Sequence, residues 1–326
     1  MGDFDLSDSA ARREDALRGR TAASSLVDTV TRTAQLVARS MTRPRALRAL
    51  AVEAASLAAH AVLYPWGARS APVERSGTYR HYRTDELSPT QRGLVVSALA
   101  AASTPIVLVH GIIDNRSAFA MLGRALRQRG FGLVYAVNYS VLTAVRGDVR
   151  QAARRLAVEV ERVRELTGSD HVHVVGHSLG GLIARYYVQR LGGDRSVRTL
   201  VTLGTPHRGT VTAHLLPTRL ARQLRPGSRL LIELAGAASG CRTRFVAVWS
   251  ELDEVVLPPR NARLDHPDLT VEMHRLRDVG HLSLPFDTEV IKLVVTTLTH
   301  ETEERVGDTG QRRGSHRDLA TTLRNS

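Results

Sequence analysis

The sequence predicts an α/β domain with a mostly parallel central sheet and helices on both faces. Short apolar segments that suit strands alternate with amphipathic segments of helix length, which implies crossover connections between parallel strands. The run Ile106–Val109 is continuously apolar, as is typical of a strand buried on both faces. Turns containing His110-Gly111, Ser178 and Gly204-Thr205-Pro206-His207 follow predicted strands, at the sheet edge where ligands of such folds bind.

The individual elements follow from hydrophobic period and turn residues. Strands are predicted at Thr78–Thr84, Ile106–Val109, Gly132–Tyr139, His171–Val175, Val197–Leu203, Arg244–Ser250 and Thr270–Leu276. Helices are predicted at Gln91–Ala102, Phe119–Arg129, Asp148–Leu166, Leu182–Arg190 and Thr288–Thr299.

The segment 209–240 interrupts the alternation with two helical stretches, Val211–Leu224 and Ser228–Ala235. The first stretch carries an apolar face formed by Leu215, Leu216, Leu220 and Leu224. The pair is either a helical cap over the serine or a plain helix pair packed on the domain.

Three regions divide the chain: an N-terminal helical extension and linker (1–76), the main domain (77–300) and a polar, charged tail predicted to be disordered (301–326). The spacing of apolar residues in 45–64 predicts an amphipathic helix. In order of preference, this helix docks on the domain, attaches to a membrane surface or spans a membrane. Charged residues inside it disfavour a span. The chain begins with acidic residues rather than a basic and apolar leader, which predicts a cytoplasmic or peripheral membrane location.

Composition excludes several function classes. The single Cys241 rules out intramolecular disulfides and zinc–cysteine sites. The net charge is +13, but the basic residues are scattered and aromatic residues form only 4% of the chain. Stacking platforms for nucleic acid are therefore scarce, and we predict no nucleic-acid partner. The basic balance still favours anionic membrane surfaces.

The pentapeptide Gly176-His177-Ser178-Leu179-Gly180 lies between a predicted strand and a predicted helix. This context is that of a nucleophile elbow, in which a sharp turn projects a serine hydroxyl toward the substrate. Glycines are needed at both ends because neighbouring chain approaches too closely for a Cβ. Ser178 is therefore the predicted nucleophile.

A serine hydroxyl needs a base, and the base needs a group that orients it. In the chain order expected on this fold, Asp253 follows one strand as the acid and His281 follows the last strand as the base. Two surface-loop residues without a catalytic role remain the alternative. The backbone N–H groups of Ile112 and Leu179 are the predicted oxyanion hole.

Three further histidines, His110, His177 and His207, suggest a metal cluster at first sight. Two of them flank the predicted catalytic turns, which favours hydrogen-bonding supports over metal ligands. We predict no metal and no cofactor.

From about Pro105 to His281 the chain resembles α/β-hydrolases of the bacterial lipase and esterase type. The motifs that carry the resemblance are Val109-His110-Gly111-Ile112, Gly176–Gly181, Gly204–Thr210, Asp253–Pro258 and Gly280-His281. The Gly204–Thr210 motif particularly suggests triacylglycerol lipases and related lipid-linked deacylases. The resemblance implies hydrolysis of apolar acyl esters, with a small-molecule or lipid ester as substrate. If the helical stretches in 209–240 form a cap, the apolar face of the first stretch predicts a preference for medium or long acyl chains. An acyltransferase or thioesterase with the same triad and a non-enzymatic membrane adaptor of hydrolase fold remain open.

Overall fold

The computed structural model describes residues 104–111, 116–131, 133–137 and 147–299. The predictions for the extension 1–76, the strand Thr78–Thr84, the helix Gln91–Ala102 and the tail 301–326 lie outside these residues. The boundaries of the main domain at 77 and 300 lie outside them as well.

The described residues form a sheet of six strands, all of them parallel. The strands are β1 (Ile106–Val109), β2 (Val134–Val137), β3 (Val172–His177), β4 (Val197–Leu203), β5 (Arg244–Ser250) and β6 (Thr270–Leu276). Their order is β2-β1-β3-β4-β5-β6, so the direction of winding reverses between β1 and β3. The predicted parallel sheet is confirmed. Ligands of such sheets bind at the point of reversal, beyond the carboxyl ends of the strands.

Six helices accompany the strands in the described part of the chain. They are α1 (Ala120–Gln128), α2 (Val149–Thr167), α3 (Leu179–Arg190), α4 (Arg219–Leu224), α5 (Arg229–Ala235) and α6 (288–299). The carboxylate of Asp148 accepts a hydrogen bond from the Arg150 backbone N–H at 2.9 Å and caps α2. None of these helices is both long enough and apolar enough to cross a membrane.

Two apolar layers hold the helices on opposite faces of the sheet. Val107 and Val109 point into the layer that contains α2, α3, α4 and α5. Ile106 and Leu108, which alternate with them along β1, point into the layer that contains α1 and α6. Because both faces of the inner strands are covered, their continuous apolar sequences are explained, and the prediction of helices on both faces is confirmed.

The predicted helical stretch Val211–Leu224 is wrong as a single helix. It consists of a 3₁₀ turn (Val211–His214), a non-helical bend and the short helix α4. Pro217 lies in the bend, where it has no N–H to continue a helix. Leu215 and Leu216 are 81% and 53% exposed, so the predicted four-leucine face does not form. The argument from that face to acyl-chain preference no longer applies.

Candidate active site

The elbow prediction places Ser178 between the last residue of β3 and the first residue of α3, and the structure has this arrangement. Ser178 has φ of 53° and ψ of −122°, and among the described residues no other non-glycine residue has a positive φ. Such a backbone conformation costs on the order of 1–3 kcal/mol and persists only where its surroundings enforce it. The Ser178 N–H donates to the Leu203 carbonyl at 2.8 Å, which fixes the turn to the end of β4.

The flanking glycines make the turn sterically possible. A Cβ on Gly180 would lie 2.0 Å from the carbonyl oxygen of Val109, at the end of β1. A Cβ on Gly176 would lie 2.5 Å from the Cα of Gly181. Since both obstacles are backbone atoms, no side-chain rotation can relieve them, and glycine is required at both positions.

Asp253 and His281 form a buried pair beyond the ends of β5 and β6. The His281 Nδ1–H donates to Asp253 Oδ2 at 2.8 Å, and each residue is only 2% exposed. The other carboxylate oxygen accepts the backbone N–H groups of Val255 at 3.0 Å and Val256 at 2.7 Å. A carboxylate that accepts from Nδ1 holds the proton there, which leaves Nε2 as the basic nitrogen of the imidazole.

Two contacts bring this pair to the elbow. The His177 Nε2–H donates to the backbone carbonyl of His281 at 3.0 Å, and the centroids of the two rings are 5.0 Å apart. A Cβ on Gly204, which follows β4, would lie 3.1 Å from His281 Nδ1 and 3.2 Å from Asp253 Oδ2. Ser178, Asp253 and His281 therefore come from three loops that meet at one rim of the sheet.

The acid loop is fastened by a residue that sequence reasoning missed. The buried Thr210 hydroxyl donates to the Val255 carbonyl at 2.8 Å and accepts from the Leu257 N–H at 2.9 Å. The Thr212 hydroxyl also donates to the Val255 carbonyl, at 2.8 Å. Thr210 belongs to a motif noted in the sequence, but nothing local indicates a partner 45 residues away.

The histidines of the suspected metal cluster bind protein atoms. His110 Nδ1 donates to the Gly111 carbonyl at 2.8 Å, and His177 binds the carbonyl of His281. His207 lies between Arg185 and Thr202. Within the ranges that the structure describes, no group of three or more histidine, cysteine, aspartate or glutamate side chains is arranged to hold a metal ion.

The structure describes one of the two predicted oxyanion donors, Leu179. Leu179 is the first residue of α3, where backbone N–H groups have no carbonyl one turn earlier in the helix. Ile112 lies outside the described residues.

Comparison with known proteins yields matches to hydrolases. A family model for palmitoyl protein thioesterases matches residues 105–237. A triacylglycerol lipase of Burkholderia plantarii is 30% identical over 131 residues, which are 38% of this chain and 35% of that protein. The lysosomal thioesterase PPT2 homolog of Drosophila melanogaster is 27% identical over 169 residues, which are 47% of this chain and 52% of that protein. The chain therefore spans between about a third and a half of the length of these relatives.

Solved structures show the same fold at low sequence identity. The mature lipase BlEst2 of Bacillus licheniformis has a TM-score of 0.50 at 18% identity, with 60% of this chain and 92% of that chain covered. Lipase B of Aspergillus fumigatus has a TM-score of 0.51 at 16% identity, with 72% of this chain and 64% of that chain covered.

The parallel sheet, the strained serine at its reversal point and these likenesses define an α/β-hydrolase. Within that superfamily its sequence is similar to lipases and thioesterases, and the predicted resemblance to enzymes of this type is confirmed. Its similarity is to hydrolases of lipase, esterase and thioesterase type.

Proposed function

We propose that the protein is a serine hydrolase of apolar carboxylic esters, with Ser178 as nucleophile, His281 as base and Asp253 as the residue that orients His281. The observation that carries the proposal is the 2.8 Å hydrogen bond between His281 Nδ1 and Asp253 Oδ2, buried beside the elbow. A structural ion pair needs no neighbouring serine in a strained conformation. The combination of both features favours catalysis.

In the proposed reaction, the Ser178 hydroxyl attacks the ester carbonyl while His281 Nε2 accepts its proton. Asp253 keeps the imidazole in the required tautomer and stabilises the imidazolium that forms. His281 then returns the proton to the leaving alcohol, and an acyl-enzyme remains on Ser178. His281 then takes a proton from a water molecule, which attacks the acyl-enzyme, and returns this proton to Ser178 Oγ as the carboxylic acid is released.

The negative charge on the tetrahedral intermediate needs hydrogen-bond donors that are in place beforehand. We propose the Leu179 N–H, at the positive end of the α3 dipole, as one of them. The second proposed donor, the Ile112 N–H, follows β1 in the sequence.

The experiment that tests the proposal replaces Ser178 with Ala. We expect kcat on p-nitrophenyl esters to fall on the order of 10⁶-fold, and covalent labelling by a fluorophosphonate to disappear. Ser239→Ala, at an exposed serine between α5 and β5, is the matched control and should retain both activities. Retained turnover by Ser178→Ala would exclude this mechanism. Acyl chains of graded length in the same assay measure the chain-length preference.

A thioesterase is the second candidate, and the match to palmitoyl protein thioesterases favours it. A thiolate is a weaker base than an alkoxide, so a thioester depends less on proton donation by His281 to the leaving group. The two candidates separate in kcat/KM for an alkyl ester and a thioester with the same acyl chain. A thioester preference of about tenfold or more would favour the second candidate over the first.

We also propose that residues 45–64 bring the enzyme to a membrane surface where apolar esters are found. The support is the amphipathic pattern of this segment and the net charge of +13. Flotation with anionic vesicles tests it by comparing the full chain with a chain that begins near Gly77. Equal flotation of both forms would contradict the proposal.

A further inference from the structure

Arg185 is a buried cation on the helix that begins at the elbow, seven residues beyond Ser178. It is 3% exposed and is surrounded along α3 by buried apolar residues. Burial, and to a smaller extent the nearby Arg190, lowers the pKa of Arg185 to about 9. An apolar side chain of similar volume would avoid this desolvation, so packing alone does not explain an arginine here.

The partners of Arg185 are all uncharged in the described part of the chain. Its Nε donates to Gln189 Oε1 at 2.6 Å, and its Nη2 donates to the Leu234 carbonyl at 2.9 Å, on α5. Its Nη1 faces His207, with 3.4 Å to the ring Nδ1 and 3.3 Å to the backbone carbonyl. One guanidinium thus connects α3 to α5 and to the loop that follows β4.

His207 extends this connection into the sheet. It is 4% exposed, and burial together with the Arg185 cation lowers its pKa well below the ordinary value. Because Nδ1 accepts from Arg185, the proton lies on Nε2, which donates to Thr202 Oγ1 at 3.1 Å. The Thr202 hydroxyl donates in turn to the Val246 carbonyl on β5 at 3.5 Å.

The loop held in this way, residues 204–207, lies between the elbow helix and the Asp253–His281 pair. On one side, a Cβ on Gly181 would lie 1.9 Å from Thr205 Oγ1, so the loop touches the first turn of α3. On the other side, Gly204 lies against His281 Nδ1 and Asp253 Oδ2. The position of this loop therefore affects the separation between the nucleophile and its base.

We propose that Arg185 and His207 act together as positioning residues for the reaction at Ser178. They hold the loop 204–207 against α3 and thereby fix the separation between the Ser178 hydroxyl and the imidazole of His281. The inference rests on the proposed hydrolase function and adds a role for the histidine of the Gly204–Thr210 motif. Neither residue is assigned contact with the substrate.

The test is a double-mutant cycle on kcat with Arg185→Met, His207→Phe and the double variant. Each single change should lower kcat by about 10- to 100-fold, because small displacements of reacting groups have effects of this size. KM should stay within about threefold. Since the two residues act as one unit, the double variant should be no slower than the slower single variant.

The matched control is Arg190→Met on the same helix. Arg190 ties α3 to the segment just after α5, through the carbonyls of Ala237 and Gly236 at 2.9 Å and 2.8 Å, and it has no hydrogen bond to the loop 204–207 within the described part of the chain. Its loss should lower stability and leave kcat unchanged. A merely structural role of Arg185 would give the same result for both arginine variants.

Three outcomes overturn the inference: a wild-type kcat in Arg185→Met, kcat losses that multiply in the double variant, or an equal kcat loss in Arg190→Met. If Arg185→Met does not fold, Thr202→Val replaces it as the test, because it removes the other end of the same series of hydrogen bonds. We expect Thr202→Val to lower kcat about 3- to 10-fold. An unchanged kcat in Thr202→Val would also overturn the inference. Complete fluorophosphonate labelling of the folded variants, at a lower rate, should accompany the loss. Wild-type protein without Ser178-dependent turnover would instead contradict the proposed function, and this inference with it.

Discussion

The elbow and the acid–base pair lie on the same rim of the sheet but are built in different ways. The elbow occupies six consecutive residues, Gly176–Gly181, and backbone contacts fix its shape. The pair joins two loops 28 residues apart, which hydrogen bonds from side chains hold in place. One half of the site thus depends on the absence of side chains, and the other half depends on their presence.

This difference predicts different responses to substitution. A Cβ that overlaps backbone atoms forces the chain itself to move, which costs about 1–3 kcal/mol and sometimes more. Loss of one hydrogen bond costs about 1 kcal/mol, and more if a buried partner stays unsatisfied. A single substitution in the elbow should therefore abolish folding or activity, whereas a single substitution in the loops should lower activity only in part.

Gly180→Ala should have the largest effect, because the new methyl group would lie 2.0 Å from the Val109 carbonyl oxygen. We expect a protein that either does not fold or folds without ester turnover. Gly123→Ala in α1 is the matched control, since its Cβ would meet only the Arg127 side chain at 3.5 Å. The control should gain up to about 1 kcal/mol in unfolding free energy from helix propensity. Thermal unfolding and ester assays of both variants measure the contrast, and an active Gly180→Ala protein would contradict the steric account.

Asp253→Asn tests the pair with little change in volume. An asparagine that donates its NH₂ group to Nδ1 of His281 forces the imidazole proton onto Nε2, which then cannot act as the base. We expect kcat to fall by about 10⁴-fold, as in other triads, while the protein stays folded. Asp265→Asn is the control, because that carboxylate is 71% exposed and pairs only with the exposed Arg208 among the described residues. A loss below about tenfold in Asp253→Asn would separate this pair from catalysis.

The elbow and the strands follow from the sequence because their signals are local. β1, β4, β5 and β6 have the predicted bounds. In β1, β4 and β5 a segment rich in apolar and β-branched residues ends where the strand ends. The start of α3 differs: the helix begins at Leu179 rather than at Leu182. Two consecutive glycines weaken the helical pattern there, although the elbow leads directly into the helix.

The contacts that hold the loops could not be predicted in the same way. Thr210 and Arg185 act through partners more than 20 residues away, and their side chains give no hint of which partner. For Arg185 one signal existed, namely an arginine within an otherwise apolar helix. The break at Leu215–Thr218 was missed because the leucine spacing continues across Pro217.

Thr210→Val should have a graded effect on the acid loop. The change keeps the shape and removes the hydroxyl that binds the Val255 carbonyl and the Leu257 N–H. We expect a loss of about 1–3 kcal/mol in unfolding free energy and a kcat about tenfold lower. Thr210→Ser keeps the hydroxyl and should recover most of the kcat, which a purely steric role of the threonine would not allow. Denaturant titration and ester assays of the two variants decide between these roles.

The smallest effect concerns the pH dependence of stability and comes from β3, the strand that leads to the elbow. His173 on β3 is fully buried, and burial, aided by Arg198 and His171, lowers its pKa from 6.5 to about 3. The unfolded chain therefore binds a proton that the folded chain does not, so this residue lowers stability as the pH falls below 6.5 and continues to do so down to about pH 3. The contribution amounts to about 1 kcal/mol at pH 6 and vanishes at pH 8. His207, with its pKa lowered by burial and by Arg185, acts in the same direction.

His173→Leu isolates this contribution, because it removes the titrating ring at similar volume. Relative to wild type, the variant should gain about 1 kcal/mol in unfolding free energy between pH 8 and pH 6, whatever its stability at pH 8. Denaturant titrations of both proteins at the two pH values give the difference directly. A parallel pH dependence in the two proteins would show that His173 is not the group that resists protonation. The acid sensitivity would then have to come from other groups, and His207→Phe at the same two pH values would test the next one.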